Sequence, residues 1–76
     1  MTKKYIVVDK LGENIIIFSA GLSHNEVAGN MKVISAGFLD MWEGGVHCYG
    51  DSTTLGVRSR PGEDSILARV LLREDM

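Results

Sequence analysis

Two apolar segments of the chain have large hydrophobic side chains at consecutive positions, where a half-exposed strand would alternate apolar and polar residues. As a strand, residues 14–19 (NIIIFS) would direct Ile15 and Ile17 to one face of a sheet, and Ile16 and Phe18 to the other. In residues 32–42 the two opposing sets are Val33, Leu39 and Met41, and Ile34, Ala36, Phe38 and Trp42. Because a sheet with one wet face shows alternation, the sequence predicts a sheet that is apolar on both faces.

The predicted order of elements is strand, strand, helix, strand, strand, helix. Runs rich in β-branched and aromatic side chains predict strands over residues 5–9, 14–19, 32–42 and 46–49, joined by turns at KLGE and EGG. Gly37, in the middle of the third strand, predicts a bulge or a close backbone approach. Leu55 and Val57 alternate with smaller or charged neighbours, which allows a short fifth strand. The expected fold is one small α+β domain over residues 1–76, with an antiparallel sheet of four or five strands and two helices.

The first helix is predicted from its capping residues. Ser23 and Glu26 have the spacing of a capping box, and Leu22 and Val27 have that of a hydrophobic staple. The helix should therefore begin near His24, and the Gly-Asn pair at residues 29–30 should end it after a few residues.

The second helix is predicted from Pro61, which suits a first helical turn, with Ser59 as its cap. Helical periodicity then predicts an inward apolar stripe formed by Ile66, Leu67, Val70 and Leu71, and an outward polar side formed by Ser65, Arg69 and Arg73. Glu63 and Asp64 near the start complement the helix dipole.

Two modest helices have a large apolar sheet to cover. If both lie on one face, the other face leaves several large side chains in water, each forgoing about 1.5–3 kcal/mol of burial. Such a patch typically marks an interaction surface, so this arrangement predicts a homodimer or a protein partner. The alternative is one helix on each face and no partner.

Candidate partner-contact residues lie at the second predicted hairpin. Trp42 and Met41 beside the EGG turn are of the types enriched in interface cores, although Trp42 could equally cover the edge of the protein's own core. Neighbouring strand residues face opposite ways, so Cys48 is expected inward and His47 outward on the same face as Tyr49. The same geometry argues against a Cys–His dyad.

Composition excludes several classes of function. The chain has 76 residues, one cysteine and a formal charge of −2, which argues against nucleic acid as a partner. There is no apolar run of the ~18 residues that a membrane span needs, no signal peptide, no disulfide and no set of metal-ligand spacings. We therefore expect a cytoplasmic protein without cofactor or metal.

Residues 50–65, GDSTTLGVRSRPGEDS, hold the remaining candidates for chemistry. GDS after a strand resembles the nucleophile block of GDS-type lipases and esterases, in which the serine needs a histidine base near the C-terminus. No histidine follows Ser52, so a hydrolase is the lesser alternative and a turn hydroxyl is the expected role. The sequence predicts a non-enzymatic protein.

An anion site is a further alternative. Arg58, Ser59 and Arg60, with the amides at the start of the second helix, could hold a phosphate or a nucleic-acid backbone. The glycine-rich patterns GxxxxGK[ST] and GxGxxG are absent, and acidic residues already occupy the start of that helix. The competing interpretation is a helix cap reinforced by arginine.

About half of the chain resembles short uncharacterised proteins encoded by phages and prophages, which have a run like SAGF followed by C-x-G-x-S-x-x-L-x-x-x-SRP-x-x-D-x-x-L. The matching residues are 35–38, Cys48, Gly50, Ser52, Leu55, 59–61, Asp64 and Leu67. Those proteins have a longer helical segment before SAGF than residues 23–31 provide. The resemblance implies a phage or prophage accessory protein and brings no activity with it.

Overall fold

The computed structural model of the protein describes residues 2–74 and confirms the α+β class and the predicted order of the main elements. The elements are β1 (Thr2–Asp9), β2 (Glu13–Phe18), α1 (His24–Ala28), β3 (Val33–Trp42), β4 (Gly45–Tyr49), β5 (Asp51–Ser52), β6 (Val57–Arg58) and α2 (Pro61–Glu74). Strands β1 to β4 form one antiparallel sheet in the order β2-β1-β3-β4. Strands β5 and β6 pair only with each other, so the expected fifth strand belongs to a separate two-stranded ribbon. Among the described residues, neither helix is long and apolar enough to cross a membrane.

Elements of the chain itself cover both faces of the main sheet. On one side, called here the α2 face, the buried cluster beneath α2 consists of Tyr5, Val7, Leu39, Val46, Cys48 and Ala68. On the other side, called the ribbon face, α1 and the β5–β6 ribbon cover Ile6, Val8, Ala28 and Ala36, with Leu55 and Val57 packed against them. The arrangement is therefore one helix on each face. The bare apolar face that motivated a partner is not present, because the ribbon adds a cover that two helices alone would not give.

A β-bulge in β3 changes which of its side chains share a face. Val8 lies opposite Val33, but Val7 lies opposite Ser35, so Ile34 is the extra residue on β3. The predicted faces are therefore wrong at the start of this strand. Val33 packs on the ribbon face and Ile34 on the α2 face.

Gly37 marks a close backbone approach, which was one of the two alternatives predicted for it. A Cβ atom at this position would collide with the carbonyl oxygen of Tyr49. Any other residue at Gly37 would therefore push β3 away from the end of β4.

The rotation of α2 about its axis differs from the predicted one. Ile66 and Val70, expected to face the sheet, are 58% and 51% exposed, whereas Asp64, Ser65 and Ala68 are buried. Asp64 and Ser65 bond to groups on β1 and β4, and those bonds fix the rotation. Exposing two aliphatic side chains costs less than leaving a buried carboxylate without partners. The outer surface of α2 therefore carries two exposed aliphatic side chains, Ile66 and Val70, beside its charged residues.

The start of α1 confirms the predicted capping box. The Ser23 side chain accepts a hydrogen bond from the Glu26 amide, and the Glu26 carboxylate accepts one from the Ser23 amide. The side-chain hydrogen bond with Ser23, followed by the bond from its amide, lowers the pKa of Glu26. The helix ends after five residues at Gly29, which has a φ of 55° that favours glycine.

Candidate functional site

The four residues predicted to contact a partner all lie on the β3–β4 hairpin, from Met41 and Trp42 beside its turn to Tyr49, the last residue of β4. Trp42, His47 and Tyr49 are on the ribbon face, outside the cluster that α1 and the ribbon cover. We call these three residues the aromatic strip. Met41 is on the α2 face, where it packs against the buried cluster. The structure thus brings three of the four predicted residues onto one surface.

Two rings of the strip, His47 and Tyr49, belong to a continuous series of aromatic contacts. The His47 and Tyr49 rings are stacked with their centroids 5.9 Å apart, and Tyr49 and Phe38 are stacked at 6.0 Å. Phe38 in turn contacts the buried ring of His24 edge-on at 5.8 Å. The Tyr49 hydroxyl donates a hydrogen bond to Asp40 at 3.3 Å. The exposed ring of His47 is therefore connected through two half-buried rings to the buried ring of His24, and this stacking restricts its motion.

Trp42 is an exposed member of the strip, with 58% of its surface accessible. Its ring lies against Gly45, its cross-strand neighbour, and a Cβ atom at Gly45 would come within 2.7 Å of the ring. Tryptophan and tyrosine at the centre of a surface are the residue types that most often dominate binding energy. The strip thus presents residue types of this kind on the ribbon face, with Trp42 exposed and Tyr49 half-buried.

A groove opens on the other side of the hairpin end, between the hairpin and the C-terminal half of α2. Its volume is about 370 Å³. The residues that line it are Met41, Trp42, Gly44, Gly45, Val46, Arg69, Leu72 and Arg73. Trp42 lines both this groove and the strip, so the two surfaces are continuous around the hairpin end.

The predicted anion site is filled by the protein's own carboxylates. The Arg60 guanidinium lies 2.9 Å from a carboxylate oxygen of each of Glu13, Glu63 and Asp64, and its side chain is only 25% exposed. Hydrogen bonding to Glu13 raises the pKa of Arg60 further above its ordinary value. The guanidinium therefore ties the start of α2 to the start of β2, and a ligand anion would have to displace a carboxylate.

Beneath Arg60 is a buried polar network that the sequence patterns did not indicate. The Tyr5 hydroxyl oxygen is 2.6 Å from Asp64 Oδ2 and 2.5 Å from Ser59 Oγ. A phenol has one proton and a carboxylate only accepts, so Tyr5 donates to Asp64 and accepts from Ser59. Burial, and then the bond to Asp64, raise the pKa of the Tyr5 hydroxyl well above its usual value.

The cap of α2 also differs from the predicted one. Ser59 bonds to Tyr5, and it is the Asp64 carboxylate that accepts a hydrogen bond from the Arg60 amide at 2.9 Å. Arg58 is exposed on β6, opposite Asp51 on β5. The three residues of the predicted anion site therefore lie in three different surroundings. Arg58 is on an exposed strand, the Ser59 hydroxyl is bonded to the buried Tyr5 hydroxyl, and Arg60 is ion-paired at the start of α2.

Ser52 and His24 line a second cavity, of about 210 Å³, together with Lys4, Ser23, Phe38, Asp51, Thr53 and Thr54. Ser52 Oγ accepts a hydrogen bond from the Leu55 amide at 3.3 Å, which confirms its predicted role as a turn hydroxyl. His24 Nε2 donates to the Gly37 carbonyl at 2.8 Å. Each group is thus bonded to backbone rather than to the other, which is not the arrangement of a nucleophile and its base.

Cys48 is fully buried and faces away from His47, as its position on the strand predicted. Burial raises the pKa of its thiol to about 11. Its amide donates a hydrogen bond to Ser65 Oγ at 2.9 Å, which links β4 to α2. A neutral, buried thiol packs as a small apolar group and is a poor nucleophile.

No protein-family model, no curated protein and no solved structure matches this chain. Within residues 2–74, no group of three or more histidine, cysteine or acidic side chains is placed to hold a metal ion. The candidate site is therefore defined by its own geometry, which is that of exposed aromatic rings on the β3–β4 hairpin beside a groove.

Proposed function

We propose that this chain is a non-enzymatic protein that works by binding another protein through the aromatic strip. The observation that carries the proposal is the exposure of Trp42 beside the ordered rings of His47 and Tyr49, on a sheet whose faces are otherwise covered. An aromatic side chain that its own fold leaves in water, and holds in place, supports a role in binding.

Self-association is part of the proposal, and the edge of the sheet at β2 supports it. Within residues 2–74, the outer edge of β2 has no backbone partner, and its apolar residues 15–18 are half-buried on both faces of the sheet. The opposite edge is partly closed, because Ser65 accepts the hydrogen bond of the Cys48 amide. Antiparallel pairing of two β2 strands would satisfy the open edge and extend both apolar layers into a homodimer.

The other functions considered from the sequence have less support. An anion or nucleic-acid site would need Arg60, which three carboxylates already surround. A hydrolase would need a base for Ser52, whose hydroxyl instead holds a turn. A phage or prophage accessory role in a bacterial cytoplasm remains the most specific setting that we propose, and it is compatible with a small protein that binds a host or phage component.

Paired variants test the contact surface. Immobilised wild-type chain, a Trp42→Ala/His47→Ala variant and an Ile66→Ala/Val70→Ala variant are exposed to a bacterial lysate, and captured proteins are quantified by mass spectrometry. We expect a protein that the wild type and the α2 variant retain equally and that the strip variant loses. Equal capture by all three variants would contradict the proposal, because the control removes exposed apolar side chains of similar accessibility elsewhere.

Self-association is tested separately by sedimentation over about a hundredfold range of concentration. A homodimer through β2 predicts an increase in sedimentation coefficient with concentration and slower exchange of the amide hydrogens of residues 15–18 in the dimer. A monomer at every concentration would remove this part of the proposal and leave the strip untouched.

A further inference from the structure

The groove between the β3–β4 hairpin and α2 combines an apolar floor with a positively charged rim. Met41, Val46 and Leu72 form apolar walls, and Arg69 and Arg73 are the charged residues that line it. At about 370 Å³, the groove is at the small end of the range for ligand cavities, which suits one or two side chains of a partner.

The two arginines are placed one helical turn apart and are exposed. Neither forms an ion pair with any side chain described within residues 2–73. Arg60, at the other end of the same helix, is surrounded by three carboxylates. Two like charges at i and i+4 beside an apolar groove therefore form a local positive site that no side chain described within residues 2–73 neutralises, in a chain whose net charge is −2.

We propose that this groove binds an acidic peptide segment of a partner protein, in which a large apolar side chain is flanked by carboxylates. This inference rests on the proposed protein-binding function and names the chemistry of the partner. The apolar side chain would lie against Val46 and Leu72, and the carboxylates would accept hydrogen bonds from the planar guanidinium groups of Arg69 and Arg73, a geometry that favours bidentate pairing.

The charge pattern favours a peptide of this kind over a basic or neutral one. A basic segment would be repelled by the like charges of the two arginines beside the apolar groove. A neutral segment would remove water from both guanidinium groups without pairing them. The continuity of the groove with the strip through Trp42 lets one partner contact both surfaces.

Binding of defined peptides to the isotope-labelled chain, followed by amide chemical shifts, tests the assignment. The probe is an eight-residue peptide with the core Asp-Asp-Phe-Leu-Glu-Glu. The comparison peptides have lysine in place of the acidic residues, or serine in place of Phe and Leu. We expect only the acidic apolar peptide to shift the amides of Val46, Arg69 and Leu72, and its binding to weaken with added salt.

Charge-removing variants complete the test. Arg69→Gln/Arg73→Gln is expected to weaken the peptide about tenfold or more, whereas Arg58→Gln, which removes an exposed arginine on another surface, leaves binding unchanged. Any one of four results would overturn the inference. These are equal affinity of the peptide for both variants, chemical-shift changes at other amides, tighter binding of the lysine peptide, and tighter binding of a medium-chain fatty acid at the same amides. Loss of partner capture in the strip variant would still uphold the proposed function if no peptide binds the groove.

Discussion

The two faces of the sheet are closed in different ways. On the α2 face, a fourteen-residue helix is joined to the sheet by buried polar groups, with Tyr5 bonded to Asp64 and the Cys48 amide bonded to Ser65. On the ribbon face, a five-residue helix and a ribbon of two-residue strands supply the cover. His24 links α1 to β3 through the Gly37 carbonyl.

The different covers of the two faces suggest different roles: the α2 face contributes most to stability, and the exposed rings on the ribbon face are the surface proposed for binding. A long helix fixed by buried hydrogen bonds covers the buried cluster of the α2 face and leaves open the groove beside the hairpin. The position of the helix is set by polar geometry rather than by its apolar stripe. The short elements on the ribbon face stop before the hairpin end, so Trp42 and His47 remain exposed. We therefore expect substitutions on the α2 face to reduce stability most, and substitutions on the aromatic strip to reduce binding.

The largest expected effect is at Asp64. Asp64→Ala removes the carboxylate that accepts bonds from Tyr5 and from the amide and guanidinium of Arg60, and leaves the buried Tyr5 hydroxyl without its acceptor. We expect the free energy of unfolding to fall by about 3 kcal/mol in urea titrations. The control Glu63→Ala removes an exposed partner of the same arginine and should cost less than about 1 kcal/mol. Similar losses in the two variants would show that the α2 face is not held by its buried network.

A pH dependence at alkaline pH should come from the same face. Burial raises the pKa of the Cys48 thiol from 9.0 to about 11, so the folded state keeps a proton that the unfolded state loses. Stability is therefore fully present below pH 9 and is lost as the pH rises toward 11, by about 2 to 3 kcal/mol. The buried Tyr5 hydroxyl acts in the same direction. Urea unfolding of wild type and Cys48→Ala at several pH values should show a shallower alkaline loss in the variant, and identical slopes would contradict the assignment to Cys48.

A smaller effect is expected from the cover of the ribbon face. Ser23→Ala removes the side-chain half of the capping box and should cost about 1 kcal/mol, measured by urea unfolding. Because hydrogen bonds from Ser23 lower the pKa of Glu26, the carboxylate favours folding above its unfolded pKa, and this contribution is lost as the pH falls through the folded value. The acid sensitivity of the wild type should therefore decrease in Ser23→Ala. A loss as large as that of Asp64→Ala would mean that the two faces do not differ.

The smallest effect is expected on the outer surface of α2. Ile66→Ser changes a side chain that is 58% exposed, so the free energy of unfolding should change by no more than about 0.5 kcal/mol. Leu67→Ser, one residue along on the half-buried side of the helix, should cost about 2 kcal/mol. The apolar stripe predicted from the sequence would give a large loss of unfolding free energy in both variants. That result would contradict the observed rotation of α2.

Much of this architecture could be predicted because its causes are local. Because successive residues of β4 alternate between the two faces of the sheet, Cys48 could be placed inward and His47 outward. The spacing of Ser23 and Glu26 predicted the start of α1. The order of strands and helices followed from runs of β-branched residues and from turns at glycine. The partner-contact residues predicted from residue type near a predicted turn stay a prediction, and the structure places three of them on one face of the sheet.

The features that were missed depend on contacts between distant parts of the chain. Tyr5 and Asp64 are 59 residues apart, and nothing in either segment indicates that a tyrosine in an apolar strand meets a carboxylate in a helix. Without knowledge of that bond, the rotation of α2 could be predicted only from its apolar residues. Those residues predicted that Ile66 and Val70 face the sheet, whereas both are exposed. The bulge at Ile34 arises likewise from pairing with β1, and the ribbon's role as a cover depends on where residues 51–58 fold back.

The central claim is that the chain covers both faces of its sheet and leaves its aromatic end in water. Paramagnetic relaxation by a small gadolinium complex in the solvent, recorded on methyl and indole groups of the dilute protein, tests this claim directly. The account predicts weak relaxation at Ile6 on the ribbon face and at Val7 on the α2 face, and strong relaxation at the Trp42 indole. Strong relaxation at Ile6 would show an open ribbon face and contradict the account.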